Sequence, residues 1–148
     1  MKAKDLMKLD LTSVSDTARL KEAAGLLAKT HLSGLPVVND KNQVIGFISE
    51  RDIIAAAFPE TILTKTPEII SLANLSLIVK KLSSKGNLKV KDYLSHELYH
   101  VGEETPLHDI IELMLEKNLK RLPVSRDKQL VGIIERATLS RVALEQGL

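Results

Sequence analysis

The sequence predicts a mixed α/β (α+β) fold made of two copies of a β-α-β-β-α unit. Three observations predict it: a scaffold repeated at constant spacing, helical apolar stripes at matching places, and paired apolar strands across charged turns. Leu35-Pro36-Val37 returns as Leu122-Pro123-Val124, Val14 as Val101 and Leu20 as Leu107, each at an offset of 87 (101 − 14 = 87). Beyond the charged turn Gly46 answers to Gly132 and the offset becomes 86 (132 − 46 = 86). One residue has been lost from the second turn, where a deletion costs least.

The elements follow in order. "KDLM" from Lys4 opens the first copy and "KDYL" from Lys91 the second, then "LTSV" and "LYHV" read as short strands. Asp16-Thr17 and Glu104-Thr105 lead into helices, with Pro106 suited to a first turn. Leu20, Ala23, Ala24 and Leu27 fall at i, i+3, i+4 and i+7, and Leu107, Ile110, Ile111 and Met114 repeat that pattern. Such a stripe is the core face of a helix. "LPVVN" and "LPVS" follow as strands, then turns over "DKNQ" and "DKQ", then the strands "VIGFIS" and "LVGII". A last helix begins near Glu50 in one copy and Glu135 in the other. The copies span residues 1–56 and 88–148, and residues 57–87 form an additional helical insertion. There Thr66-Pro67-Glu68 reads as a helix start and Gly86 as a stop, with Ile69, Ile70, Ala73, Leu77 and Ile78 between them.

Composition sets limits on function. A chain of 148 residues buries roughly 68–70% of its unfolded surface and needs no staples. It has no cysteine, which excludes disulfides and thiolate metal sites. Its 21 basic and 19 acidic side chains leave a net charge of +2, too even for a protein that tracks a nucleic-acid backbone. With two Phe, two Tyr and no Trp, it has no aromatic platform on which bases could stack. No apolar run reaches the length of a membrane span, and "MKAKDLMKLD" is not a leader, so a soluble cytoplasmic protein is expected.

Chemistry concentrates at one place. Residues 46–52 read G-F-I-S-E-R-D, so Gly46 permits close approach to a strand while Ser49 and Asp52 meet a helix start. A hydroxyl and free N–H groups there favour an anion, and a carboxylate can accept bonds from a sugar diol. Capping of the helix is the competing role for both residues. Lys120 and Arg121 precede the second "LPV" and could hold phosphate, Arg121 with two parallel bonds; a solvated basic turn is the alternative. The matching residues in the first copy, Ser33 and Gly34, are uncharged. His31, His96, His100 and His108 have no metalloprotease spacing, so no metal site is expected. No base–nucleophile pair and no phosphate loop can be placed, so no enzyme, no catalytic residue and no resident cofactor is expected.

Together these segments resemble a tandem pair of cystathionine β-synthase (CBS) domains, a Bateman module. The resemblance rests on "TSVSDTARLKEAAGLLAKTHLSGLPVVND" with "VIGFISERDI", and on "HVGEETPLHDIIELMLEKNLKRLPVSRD" with "LVGIIERATL". It implies two repeats related by pseudo-two-fold symmetry, often assembled as a homodimer, that sense adenosine-containing ligands. The ligands implied are AMP, ADP or ATP, with S-adenosylmethionine disfavoured by the two cations. The family pattern G-h-h-[S/T]-x-x-D (h apolar) is matched by Gly46, Ser49 and Asp52, whereas Gly132, Glu135 and Thr138 match it at the glycine alone. By that resemblance one inter-repeat site takes Ser49 and Asp52 for ribose and phosphate. Phe47, Leu98 and Tyr99 would hold the base, and Lys120 and Arg121 the phosphates. The opposite cleft, with Glu135, Thr138, Thr12, Ser33 and Gly34, would lack the ribose carboxylate and the cations.

The reading is therefore a regulatory nucleotide-sensing module acting on an unknown, separate effector protein. Its rival is a ligand-free structural or dimerisation module, suggested by the apolar stretch from Pro67 to Leu82. A nucleic-acid partner drawing on Lys80, Lys81, Lys85, Lys89 and Lys91 is less favoured, since lysines so placed usually form a solvated face.

Overall fold

The apolar run of "VIGFIS" and the valines of the two "LPV" segments place the strands, and the computed structural model describes residues 1–57 and 84–145. The elements are α1 (Ala3–Leu6), β1 (Val14–Ser15), α2 (Leu20–Thr30), β2 (Gly34–Val38), β3 (Val44–Ser49) and α3 (Glu50–Ala57). After a 3₁₀ turn at Val90–Asp92 come β4 (Val101–Gly102), α4 (Leu107–Glu116), β5 (Arg121–Arg126), β6 (Gln129–Glu135) and α5 (Arg136–Glu145). From β1 onward the order β-α-β-β-α is traversed twice, as predicted. The predicted helix from Thr66 and its apolar face lie outside the described residues. Gly86 falls in a turn.

The chain forms two compact units. The first comprises Ser13–Asn39 and Ile45–Glu97. Its sheet runs β1-β2-β3, with β1 parallel to β2 and Val14 opposite Val37. Leu20, Ala23 and Leu27 of α2 pack on Leu35, Val37 and Ile48 of the sheet, all 2% exposed or less. Each fully buried leucine of this kind stabilises by about 1.5–3 kcal/mol. Helix α2 starts at Leu20, three residues beyond Thr17, where the Arg19 N–H meets the Glu22 carboxylate at 3.4 Å. It stops at His31, whose φ of 57° is left-handed.

The second unit comprises Met1–Thr12, Asp40–Val44 and Leu98–Leu148. Its sheet runs β4-β5-β6, with β4 parallel to β5 and β5 antiparallel to β6. The hairpin turn is tighter than "DKQ" suggested: Gln129 already pairs with Arg126, and Asp127 and Lys128 make the turn at φ 52° and 69°. Two left-handed residues match the twist of the flanking strands. Ile110 and Met114 of α4 are fully buried against Leu122, Val124 and Ile134. Pro106 precedes α4 as its cap residue, at φ −68° and ψ 151°.

Each unit completes its core with a strap that belongs to the other sequence copy. Ala3 and Leu6 of α1 are buried in the second unit, and Val90 and Leu94 in the first. The straps dock in the same way. Lys8 exchanges both backbone hydrogen bonds with Ile133 at 2.8 and 3.0 Å, and Ser95 does so with Phe47 at 2.8 and 3.0 Å. Here the two glycines have their purpose. A Cβ on Gly46 would stand 2.3 Å from Leu94 Cδ1 and 2.6 Å from the Ser95 carbonyl. One on Gly132 would meet Met7 Sδ at 2.7 Å and the Lys8 carbonyl at 2.9 Å. The close approach that Gly46 permits is that of the chain's own strap.

Candidate functional site

Strand β3 delivers Ser49 to the start of α3, and the helical turn brings Asp52 back over it. The Ser49 N–H and hydroxyl donate to Asp52 Oδ2 at 2.9 and 3.0 Å, and the Asp52 N–H donates to Ser49 Oγ at 3.1 Å. This reciprocal box satisfies two helix N-terminal donors. Capping and ligand binding are thus not exclusive readings of the pair, because both bonds into the carboxylate end on Oδ2. Oδ1 receives no hydrogen bond from the described residues. The Glu50 N–H is taken by the Ser33 carbonyl at 2.9 Å. Phe47, half-buried, lies in the same unit with its ring over Gly34, where any side chain would collide with it at 2.3 Å.

The other expected residues lie together in the second unit. Leu98 and Tyr99 are half-buried just before β4, and Lys120 is exposed just before β5. Lys117 stands 5.7 Å from the centre of the Tyr99 ring, a cation–π distance. Sequence reading missed Lys117 because its partner in the first copy is Thr30, and nothing marks it apart from an exposed helix end. Arg121 is no solvated cation: its side chain is 8% exposed, and its Nη2 lies 3.5 Å from Asp10 Oδ2. Asp10 in turn accepts from the Thr12 N–H at 2.9 Å and from the Thr12 hydroxyl, bonds that hold its carboxyl below the usual carboxylate range. Asp10 was also missed, since a carboxylate in a linking segment carries no periodic signal.

The corresponding junction of β6 and α5 is built on the same plan without the polar box. The Arg136 N–H is taken by the Lys120 carbonyl at 2.9 Å, as Glu50 is by Ser33. Glu135 pairs with Lys8 at 2.9 Å. Elsewhere in the second unit, His100 Nδ1 and the buried Ser125 hydroxyl are 2.9 Å apart. The ligand atoms of His108, Asp109 and Glu112 lie within 4.8 Å of one another on the exposed face of α4. Their i, i+1, i+4 spacing is visible in the sequence, but acids in a first turn serve the helix dipole equally well. In the first unit Ala24, Leu27, Ala28, Ile53 and Ile54, with Glu50, line a mostly apolar groove of 210 Å³ between α2 and α3.

The CBS domain profile matches residues 3–58 and 90–145. The chloroplastic CBS domain-containing protein CBSX1 of Arabidopsis thaliana is 35% identical over 144 residues, covering 93% of this chain. The chain spans 61% of the length of that relative. An uncharacterized protein of Methanocaldococcus jannaschii is 30% identical over 155 residues, covering 94% of this chain and 89% of its own. The crystal structure of the CBS-pair protein CBSX2 from Arabidopsis thaliana superposes with a TM-score of 0.75 at 28% identity, covering 99% and 96% of the two chains. A structure of CBSX2 in complex with AMP gives 0.73 at 27% identity, covering 99% and 98%. Among the described residues no helix is long and apolar enough to cross a membrane.

Proposed function

The chain belongs to the CBS domain family and carries that domain twice, and from that premise we propose that it is a regulatory module binding one adenine nucleotide. The observation that carries the reading is the Ser49–Asp52 box. It fixes a carboxylate at a helix N-terminus by one oxygen and leaves the other to accept a ribose hydroxyl. The second copy starts α5 without such a pair, so the scaffold itself does not require it. In this reading Ser49 also faces phosphate. Phe47, Leu98 and Tyr99 take the base, and Lys120 and Arg121 the phosphates. AMP, ADP and ATP are the candidate ligands. The AMP complex of CBSX2 supports a nucleotide over S-adenosylmethionine. The module is non-catalytic and cytoplasmic, and it acts by changing its affinity for an effector protein when occupied.

A thermal melt with AMP, ADP, ATP or S-adenosylmethionine, for the parent and for Asp52→Ala, tests this. Ligand at 100 times its dissociation constant adds about 2.7 kcal/mol. At about 2–4 °C per kcal/mol the expected rise is roughly 5–10 °C in the parent with a nucleotide and none in the variant. No rise with any of the four refutes the reading.

A second reading, self-association without ligand, is favoured by the groove between α2 and α3 and by Ile54, which is 54% exposed. Native mass spectrometry of the parent and of Ile54→Asp separates the two. A dimer that Ile54→Asp dissociates, in a protein that nucleotides do not stabilise, would favour it.

A further inference from the structure

The Arg121 guanidinium is buried but poorly satisfied. Its Nε and Nη1 are shut off from solvent without an acceptor, and Nη2 reaches Asp10 Oδ2 only at 3.5 Å. Buried guanidinium donors normally find acceptors, and each one left bare is costly. Asp10 does not complete the pair because Thr12 anchors it through Oδ1, in a turn closed by the Thr12 N–H and hydroxyl. With 38% of its side chain exposed, Asp10 has room to move, whereas Arg121 does not. Lys120, beside Arg121, is exposed. The arrangement is a fixed, electron-poor fork with a weakly held carboxylate across one arm.

We propose that Asp10 is an internal latch on Arg121, an anion of the chain that occupies the guanidinium until a phosphate group displaces it. The inference rests on the reading of Arg121 as a phosphate ligand and adds a threshold to it. A phosphoryl group offers more acceptor oxygens than one carboxylate arm and, in the place of Asp10, can approach Nη2 more closely than 3.5 Å. It must first outcompete Asp10, which stays ionised at neutral pH through its bonds to Thr12. Release of Asp10 from Arg121 frees the segment from Leu9 to Thr12, next to the docked Lys8. That segment joins the strap docked on Ile133 to strand β1, so occupancy is relayed to the backbone of both sequence copies.

The test is calorimetric titration of AMP, ATP and inorganic pyrophosphate into the parent, Asp10→Asn and Asp10→Ser. Asp10→Asn keeps an oxygen for Thr12, and Asp10→Ser removes the side chain's reach altogether. Both variants are expected to bind about tenfold tighter, the factor equivalent to 1.4 kcal/mol of lost competition. Adding Arg121→Gln to Asp10→Asn is expected to remove the gain. A gain for pyrophosphate without any nucleotide binding sustains the latch and refutes the nucleotide reading. Unchanged or weaker binding of all three probes by both variants overturns the latch, whether or not the parent binds nucleotide.

Discussion

The junctions β3–α3 and β6–α5 are two versions of one structure, and their difference separates scaffold from site. In both, the first helical N–H is held by a carbonyl two residues ahead of the "LPV" strand, Ser33 for Glu50 and Lys120 for Arg136. In both, a glycine two residues into the motif is crossed by a strap, Leu94-Ser95 over Gly46 and Met7-Lys8 over Gly132. These shared features are architecture. What is not shared is the Ser49–Asp52 box, replaced by Glu135 paired to Lys8 and by Thr138. The helix packing differs too: α5 buries Leu139 and Val142, while α3 buries no residue fully. The first junction is the less packed and the more polar, a combination that suits binding better than stability.

Five substitutions sharpen or break that comparison. The largest expected effect is on the straps. Leu6→Ala, at a side chain only 5% exposed, should destabilise by about 2–5 kcal/mol in urea unfolding. Gly46→Ala and Gly132→Ala should each cost about 1–3 kcal/mol without ligand, because a Cβ forces the strap away. Equal losses are expected in the two copies. A harmless Gly46→Ala would mean the glycine serves a ligand after all. Asp52→Ala should cost about 0.5–2 kcal/mol through the lost cap, whereas Thr138→Ala should stay within about 0.5 kcal/mol.

The smallest effect is electrostatic. Lys2 and Lys4 pull the exposed Glu104 carboxyl down to about 2, from an ordinary 4.5, chiefly through their hydrogen bonds. A group depressed when folded contributes stability above its unfolded value and loses it as pH falls through the folded one. An acid melt should therefore show Glu104→Gln less stable than the parent above about pH 4.5, with the two curves converging toward about pH 2. A gap that persists unchanged to the acid end would break the assignment.

Both hairpins and the helices α2 and α4 were legible because their patterns are local: alternating apolar residues, a Pro-anchored strand, and stripes at i, i+3 and i+7. β1 and β4 proved shorter than "LTSV" and "LYHV", since strand pairing there is limited to two residues. Strap exchange was not legible, because "KDLM" precedes one hairpin in sequence and docks on the other in space. The polar box was legible only through contrast, since Ser49 and Asp52 stand out once Glu135 and Thr138 are set beside them. The burial of Arg121 was not legible for the same physical reason that Asp10 was overlooked. Burial of a charge depends on a partner 111 positions away in the chain, and no local pattern encodes it.

The most direct measurement is the stoichiometry of AMP binding by calorimetry for the parent, Asp52→Ala and Thr138→Ala. The account predicts one AMP per chain in the parent and in Thr138→Ala, and none in Asp52→Ala. Two AMP per chain, or undiminished binding in Asp52→Ala, would contradict it.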